Sequence, residues 1–167
     1  KKFSLFMKYL VTGGAGFIGS AVCRYLIKTE HAKVCNLDKL TYASSLSSLD
    51  SISSNPAYSF HKVDICDRSG VDAVLKHEQP DSILHLAAES HVDRSIFDPE
   101  VFIRTNILGT FNLLECSREY WLTLADRIKK DFRFHHVSTD EVYGSLMPDE
   151  LAFTEMSAYQ PNNPYSA

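Results

Sequence analysis

Lys8-Tyr9-Leu10-Val11-Thr12-Gly13-Gly14-Ala15-Gly16-Phe17-Ile18-Gly19 is the stretch from which the fold is read. Tyr9, Leu10 and Val11 form an apolar run of the length of a short buried strand. Glycines at 13, 14, 16 and 19 interrupt it. A helical pattern comes next, with Ile18, Val22, Tyr25 and Leu26 on one apolar face.

Strand, glycine turn and helix in that order form a dinucleotide-binding pattern. One glycine permits the tight turn, one lets backbone approach a pyrophosphate, and one lets the helix pack close to the strand. The helix start offers free N–H groups and a positive dipole end to phosphate. Asp38 ends a second apolar run (Val34, Cys35, Leu37), at the distance expected of a carboxylate that holds an adenosine ribose. An acid there favours NAD over NADP, because it repels a 2′-phosphate; the neighbouring Lys39 weakens this only slightly.

Outward from this unit, apolar strands alternate with helical patterns, which predicts βαβ units in a doubly wound parallel sheet, an α/β Rossmann-like fold. Strands are expected at 8–12, 33–37, 58–63, 82–87 and 132–138. Helices are expected at 17–29, from an Asp67 cap through Val71, Val74 and Leu75 to a stop before Pro80, and from an Asp98 cap and Pro99 to Trp121. In the last of these Phe102, Ile103, Ile107, Leu113 and Leu114 recur at helical spacing. Residues 39–57 are Ser-rich and read as a loop with one short helix. Pro148, Pro161 and Pro164 mark an extended loop.

The 167 residues, 44% hydrophobic and 23% charged, suffice for one core. A net charge of −4 argues against a nucleic-acid surface. No run has the length to span a membrane, and Lys1–Met7 is too short for a signal peptide. Met7 has the look of a start, so residues 1–6 are expected to be a leader and 7–167 the domain. Cys23, Cys35, Cys66 and Cys116 are scattered, as reduced thiols in the cytoplasm would be. The seven histidines lack metal-ligand spacing, so no metal is expected; His31, His61 and His77 read as surface or edge residues.

In a doubly wound sheet the ligand sits outside the carboxyl ends of the strands. Gly13–Gly19, Asp38–Thr41, Asp64–Ile65, Ala87–Ser90 and Thr139–Glu141 should therefore converge. Ser138-Thr139-Asp140-Glu141 places a hydroxyl and two acids together. One acid can protonate a leaving group while the other removes a proton from carbon; a solvated loop pair is the plainer alternative. Tyr165 can act as a base on a sugar hydroxyl only with help from a neighbour. His91, Asp93 and Arg94 read as a structural ion network.

Three further stretches carry a resemblance: Asp38-Lys39-Leu40-Thr41-Tyr42-Ala43, Leu86-Ala87-Ala88-Glu89-Ser90-His91-Val92-Asp93-Arg94-Ser95 and Ser138-Thr139-Asp140-Glu141-Val142-Tyr143-Gly144. With the glycine motif, they resemble the extended short-chain dehydrogenases/reductases that act on nucleotide sugars, in particular the dTDP-glucose 4,6-dehydratase branch. The resemblance implies a lyase of deoxysugar biosynthesis, as for lipopolysaccharide O-antigen, that dehydrates dTDP-glucose with NAD. It implies catalytic roles for Thr139, Asp140, Glu141 and Tyr165. It implies NAD contacts from Gly13, Gly16, Phe17, Ile18, Gly19, Asp38, Lys39, Leu40, Thr41, Asp64, Ile65, Leu86, Ala87, Ala88, Ser90, Thr105 and Tyr165, and substrate contacts from Ser90 and Thr139. It also implies a homodimer for the full enzyme. The family's lysine, four residues past the tyrosine, and its sugar-nucleotide domain are expected beyond Ala167, so the sheet is expected to be truncated after about five strands. A 4-epimerase, another nucleotide-sugar dehydratase and an inactive NAD-binding fragment are the other readings.

Overall fold

The computed structural model describes residues 6–167. The leader reading for residues 1–6 falls, except for Phe6, outside the described residues. Five strands form one parallel sheet in the order β3-β2-β1-β4-β5: β1 (Lys8–Thr12), β2 (Lys33–Leu37), β3 (Tyr58–His61), β4 (Ser82–His85) and β5 (Arg133–His136). The switch in strand order falls between β1 and β4. The later strands stop short of their predicted ends: β3 at His61, β4 at His85 and β5 at His136. Past each end the chain leaves the ladder at the sheet's carboxyl edge.

Successive side chains of the inner strands point to opposite faces. Leu10, Cys35 and Ile83 pack with Val71, Val74, Leu75, Leu113 and Cys116 on one face. Val11 and Val34 pack with Cys23, Leu26, Ile27, Leu49 and Ile52 on the other. The α-helices are α1 (Phe17–Lys28), α2 (Asp50–Ser53), α3 (Arg68–Glu78), α4 (Val92–Phe97), α5 (Pro99–Phe102), α6 (Thr110–Thr123) and α7 (Asp126–Lys129); α3 and α6 supply the first cluster, α1 and α2 the second. Both faces of the central strands are covered, which explains why they read as continuous apolar runs.

Three sequence expectations need correction. The buried residues of α1 are Gly19, Ser20, Cys23, Leu26 and Ile27, while Ile18 and Tyr25 are exposed. Gly19 must face the glycine turn, and that contact rotates the helix away from the Ile18 stripe. Asp67 caps α3 through Gly70 N–H as expected. Asp98 occupies the cap position before Pro99 but makes no side-chain capping bond. The long helix is not one α-helix: Ile103–Gly109 is a π segment between α5 and α6. Phe102 and Leu113 are buried, but Ile103, Ile107 and Leu114 face outward, with Leu108 and Phe111 beside them.

Two buried polar groups are held by specific partners. His85 lies between two threonines, Nδ1 2.7 Å from Thr12 Oγ1 and Nε2 2.9 Å from Thr110 Oγ1. Burial pushes its imidazole down to about 4, and His136 beside it adds to the shift. Burial opposes the charge of Glu78, yet bonds from Lys8, His61 and Ser59 outweigh it and hold the carboxyl at about 2. An unfolded imidazole titrates near ~6.5, so below that pH the unfolded chain takes up a proton that the fold refuses. Stability is therefore expected to fall between roughly pH 6.5 and 4. The Glu78 contribution is full above ~4.3 and is lost as pH drops toward 2. Melting temperatures measured against pH should show both arms. His85→Gln should flatten the first only partly, since burial also lowers His136. A flat melting temperature across the first window would refute the assignment.

Candidate functional site

A cleft of about 340 Å³ opens over the carboxyl ends of the strands. Its floor is the glycine turn. Gly13 has φ +71°, and a Cβ there would lie 2.8 Å from the backbone of Ala87, so only glycine lets β1 and β4 run on so closely. Gly16 caps α1 without a side-chain bond. The first N–H groups of α1 have no intrahelical partners, and no capping side chain competes for them.

Asp38 directly follows β2 and is buried in the cleft wall. Its Oδ2 accepts from Ala15 N at 3.0 Å. Its Oδ1 accepts from Leu40 N at 2.8 Å and Ser44 Oγ at 3.0 Å. A carboxylate offers about four acceptor positions, so these three bonds orient Asp38 and leave one position, on Oδ2, to accept from a ligand hydroxyl. Turn, uncapped helix start and oriented carboxylate fit a dinucleotide, with Ile65, Val63 and Leu86 as apolar wall.

The π segment completes the wall. Thr105 within it is buried, lines the cleft and accepts from Lys39 Nζ at 3.3 Å. Asn106 holds the chain after β4 in a double bond: Glu89 N donates to Oδ1 and Nδ2 donates to Glu89 O, both at 2.9 Å. Extra residues in a helical turn commonly re-aim side chains at functional sites, and here Thr105 points into the cleft while Asn106 fixes wall residue Glu89.

Most of the expected cofactor residues line this cleft: Gly13, Gly16, Phe17, Ile18, Gly19, Asp38, Lys39, Thr41, Ile65, Leu86, Ala87, Ala88, Ser90, Thr105 and Tyr165. Two do not. Leu40, at φ +61°, packs its side chain into the core behind α1. Asp64 bonds Cys66 N at 2.9 Å and pairs with Lys39 Nζ at 3.7 Å, so it steadies Lys39 from behind. Ser44, Val63, Glu89, Val137 and Ser138 also line the cleft. The Ser-rich composition of 39–57 hid Ser44; its bond to Asp38 depends on a turn that periodicity does not report.

Thr139, Asp140 and Glu141 do not line the cleft; they follow wall residue Ser138 directly in the chain. Thr139 caps a 3-10 turn over Asp140–Tyr143, its Oγ1 accepting from Glu141 N at 3.2 Å. Glu141 Oε2 accepts from Asn163 Nδ2 at 3.2 Å, and Asn163 Oδ1 accepts from Ser166 N at 2.9 Å. Asn163 thus ties the acid pair to the turn that carries Tyr165 into the cleft. The expected ion network at His91, Asp93 and Arg94 is not among the ion pairs of the described residues; Arg94 instead stacks over Tyr42, 4.1 Å from the ring centre.

A family model described as GDP-mannose 4,6 dehydratase matches residues 10–167. The chain belongs to that family. In sequence it is 57% identical, over 158 residues, to a dTDP-glucose 4,6-dehydratase of Neisseria gonorrhoeae, covering 95% of this chain and 46% of that protein. A dTDP-glucose 4,6-dehydratase of Streptomyces venezuelae, solved with NAD bound, superposes with a TM-score of 0.84 at 42% identity, covering 96% of this chain and 47% of that one. A UDP-glucose 4-epimerase of Thermus thermophilus, also in complex with NAD, gives 0.80 at 31% identity over 96% and 46%. The chain spans about half the length of the curated relatives it matches. Among the described residues, no helix is long and apolar enough to cross a membrane.

Proposed function

We propose that residues 7–167 are the NAD-binding part of a dTDP-glucose 4,6-dehydratase, whose sugar-nucleotide domain belongs to a longer protein. The observation that carries this reading is the meeting of the glycine turn, Asp38 and Tyr165 in one cleft, whose wall residue Ser138 leads directly into the turn that bears the two acids. A 4-epimerase needs no such acid pair, because it eliminates nothing.

Gly13, Gly16 and Gly19 with the start of α1 receive the pyrophosphate, and Asp38 Oδ2 accepts from the adenosine ribose. Ile65, Leu86, Ala87 and Ala88 pack on the rings. When bound there, NAD⁺ would supply the hydride acceptor for oxidation at sugar C4 and the hydride source for reduction at C6. Tyr165 accepts the C4 hydroxyl proton. Thr139 Oγ1 already accepts from Glu141 N, so its own proton is left to bond the C4 oxygen, and Ser90 steadies the sugar. A C4 ketone acidifies the C5 hydrogen. Glu141 removes that proton while Asp140 protonates the C6 hydroxyl, and water leaves. Glu141 then returns a proton to C5, and exchange with solvent resets Tyr165 and Asp140.

The outward apolar stripe of Ile103, Ile107, Phe111 and Leu114 supports pairing of two copies in the full enzyme, since a contiguous apolar face of this kind is rarely left in water. Four free cysteines suit a reducing cytoplasm. The test is to incubate the purified chain with NAD⁺ and dTDP-glucose, follow NAD⁺ binding by calorimetry and look for loss of one water by mass spectrometry. Bound NAD⁺ supports the cofactor-domain reading, and product adds the activity. A folded chain that binds no NAD⁺ overturns it.

A further inference from the structure

Beside edge strand β3, away from the cofactor cleft, three metal-ligating side chains meet. Cys35 comes from β2, His61 from the end of β3 and Glu78 from the last turn of α3. One donor atom from each lies within 4.8 Å of the other two. Cys35 is fully buried and Glu78 nearly so, while His61 opens to solvent. His61 Nε2 is 2.7 Å from Glu78 Oε1, and the exposed His77 brings its Nδ1 to 3.5 Å from the same oxygen.

The carboxylate divides its two oxygens. Oε2 takes Lys8, while Oε1 faces His61 and His77 and accepts from Ser59 Oγ at 2.9 Å. Thiol, imidazole and carboxylate within a few ångströms, closed on the protein side and open on one other, are the donor set of a four-coordinate zinc-class cation. Sequence spacing does not reveal them, because they are 26 and 17 residues apart on three elements. We propose that Cys35, His61 and Glu78 Oε1 bind a divalent transition cation of the zinc class, with His77 at the fourth, solvent-facing position. Binding releases the Cys35 proton to solvent and replaces the bonds of His61 and Ser59 to Oε1. The cation joins β3, α3 and β2 in one clip and takes no part in the cleft chemistry.

Cobalt(II) reports such a site through a thiolate-to-metal charge-transfer band and strong tetrahedral ligand-field bands. Titrating the chelator-treated chain with Co²⁺ should produce both, and Zn²⁺ should abolish them. Cys35→Ala should remove the charge-transfer band and weaken affinity by more than about 100-fold, beyond the 10–100-fold typical of a supporting residue. His61→Gln, on the open edge of the sheet, tests the site without touching the core and should weaken binding comparably. Lys8→Met should tighten binding, because it removes the cation next to the metal; if Lys8 merely completes a carboxylate network, it will not. Cys66→Ala, a control at a half-exposed thiol elsewhere, should change nothing. The proposal fails if the wild-type chain shows no thiolate band. It fails equally if the band survives Cys35→Ala and disappears with Cys66→Ala.

Discussion

Replacing Glu141 by glutamine in the full-length enzyme is expected to lower dehydration by roughly 10²–10⁴-fold, the usual weight of one general base. Glutamine keeps the shape and can still accept from Asn163, which bonds Glu141 Oε2 at 3.2 Å. The loss is therefore chemical and not one of folding. The two acids can be told apart by solvent deuterium. Glu141→Gln should abolish exchange at C5 while reduced cofactor still forms, because oxidation at C4 precedes the step Glu141 performs. Asp140→Asn should retain C5 exchange and lose water release, because proton removal survives and leaving-group protonation does not. If the enzyme carrying both changes still released water at the native rate, the acid pair would not drive the elimination.

Gly19→Ala is expected to destabilise the domain by about 3 kcal/mol or more, the range for forced overpacking against a rigid neighbour. A Cβ at this position would lie 2.1 Å from Gly13 O, 2.8 Å from Gly13 C and 2.9 Å from Gly14 Cα. All three are backbone atoms, so no side chain can yield. The helix must lift from the turn, and the N–H groups at its start move with it. Against a total stability of ~5–15 kcal/mol, that is a large fraction. Denaturant unfolding should show the loss, and whatever folds should bind NAD⁺ weakly. Gly16→Ala is the comparison: its Cβ would meet only Gly13 O, at 3.2 Å, so its effect should be much smaller. Equal stability for wild type and Gly19→Ala would refute the packing argument.

The sheet and its switch point were legible because strand runs, glycines and the Asp38 position each depend on a few neighbouring residues. The cleft wall could be inferred from the rule that strand ends converge. Side-chain facing was less legible. Periodicity put Ile18 and Tyr25 on the face of α1, while the contact of Gly19 with the turn put Cys23 and Ile27 there. Arg94 carried a charge that suggested an ion pair, yet its neighbour in space is the ring of Tyr42. Asn106 and Asn163 tie separate parts of the site together without a signal in their own neighbourhood, since the bonds that do so reach chain 17 and 22 residues away.

The π segment at Ile103–Gly109 puts two halves of one rod out of phase. Before it, the rod is set by Phe102 in the core; within it, Thr105 and Asn106 serve the cleft; after it, Leu113 and Cys116 are core again. A regular helix turns ~100° per residue and would set all five residues on one stripe about 100° wide; the wider π turn changes the angle between the stretch before it and the stretch after it. Deleting one residue from the segment would close the wide turn to an α turn and re-aim Thr105 and Asn106, which bond Lys39 and Glu89 there. Insertions and deletions are usually tolerated in loops, but here a single codon in mid-helix decides where two partners of the cleft wall point. In this chain the reading frame of the helix is as strict a constraint as any side chain in the cleft.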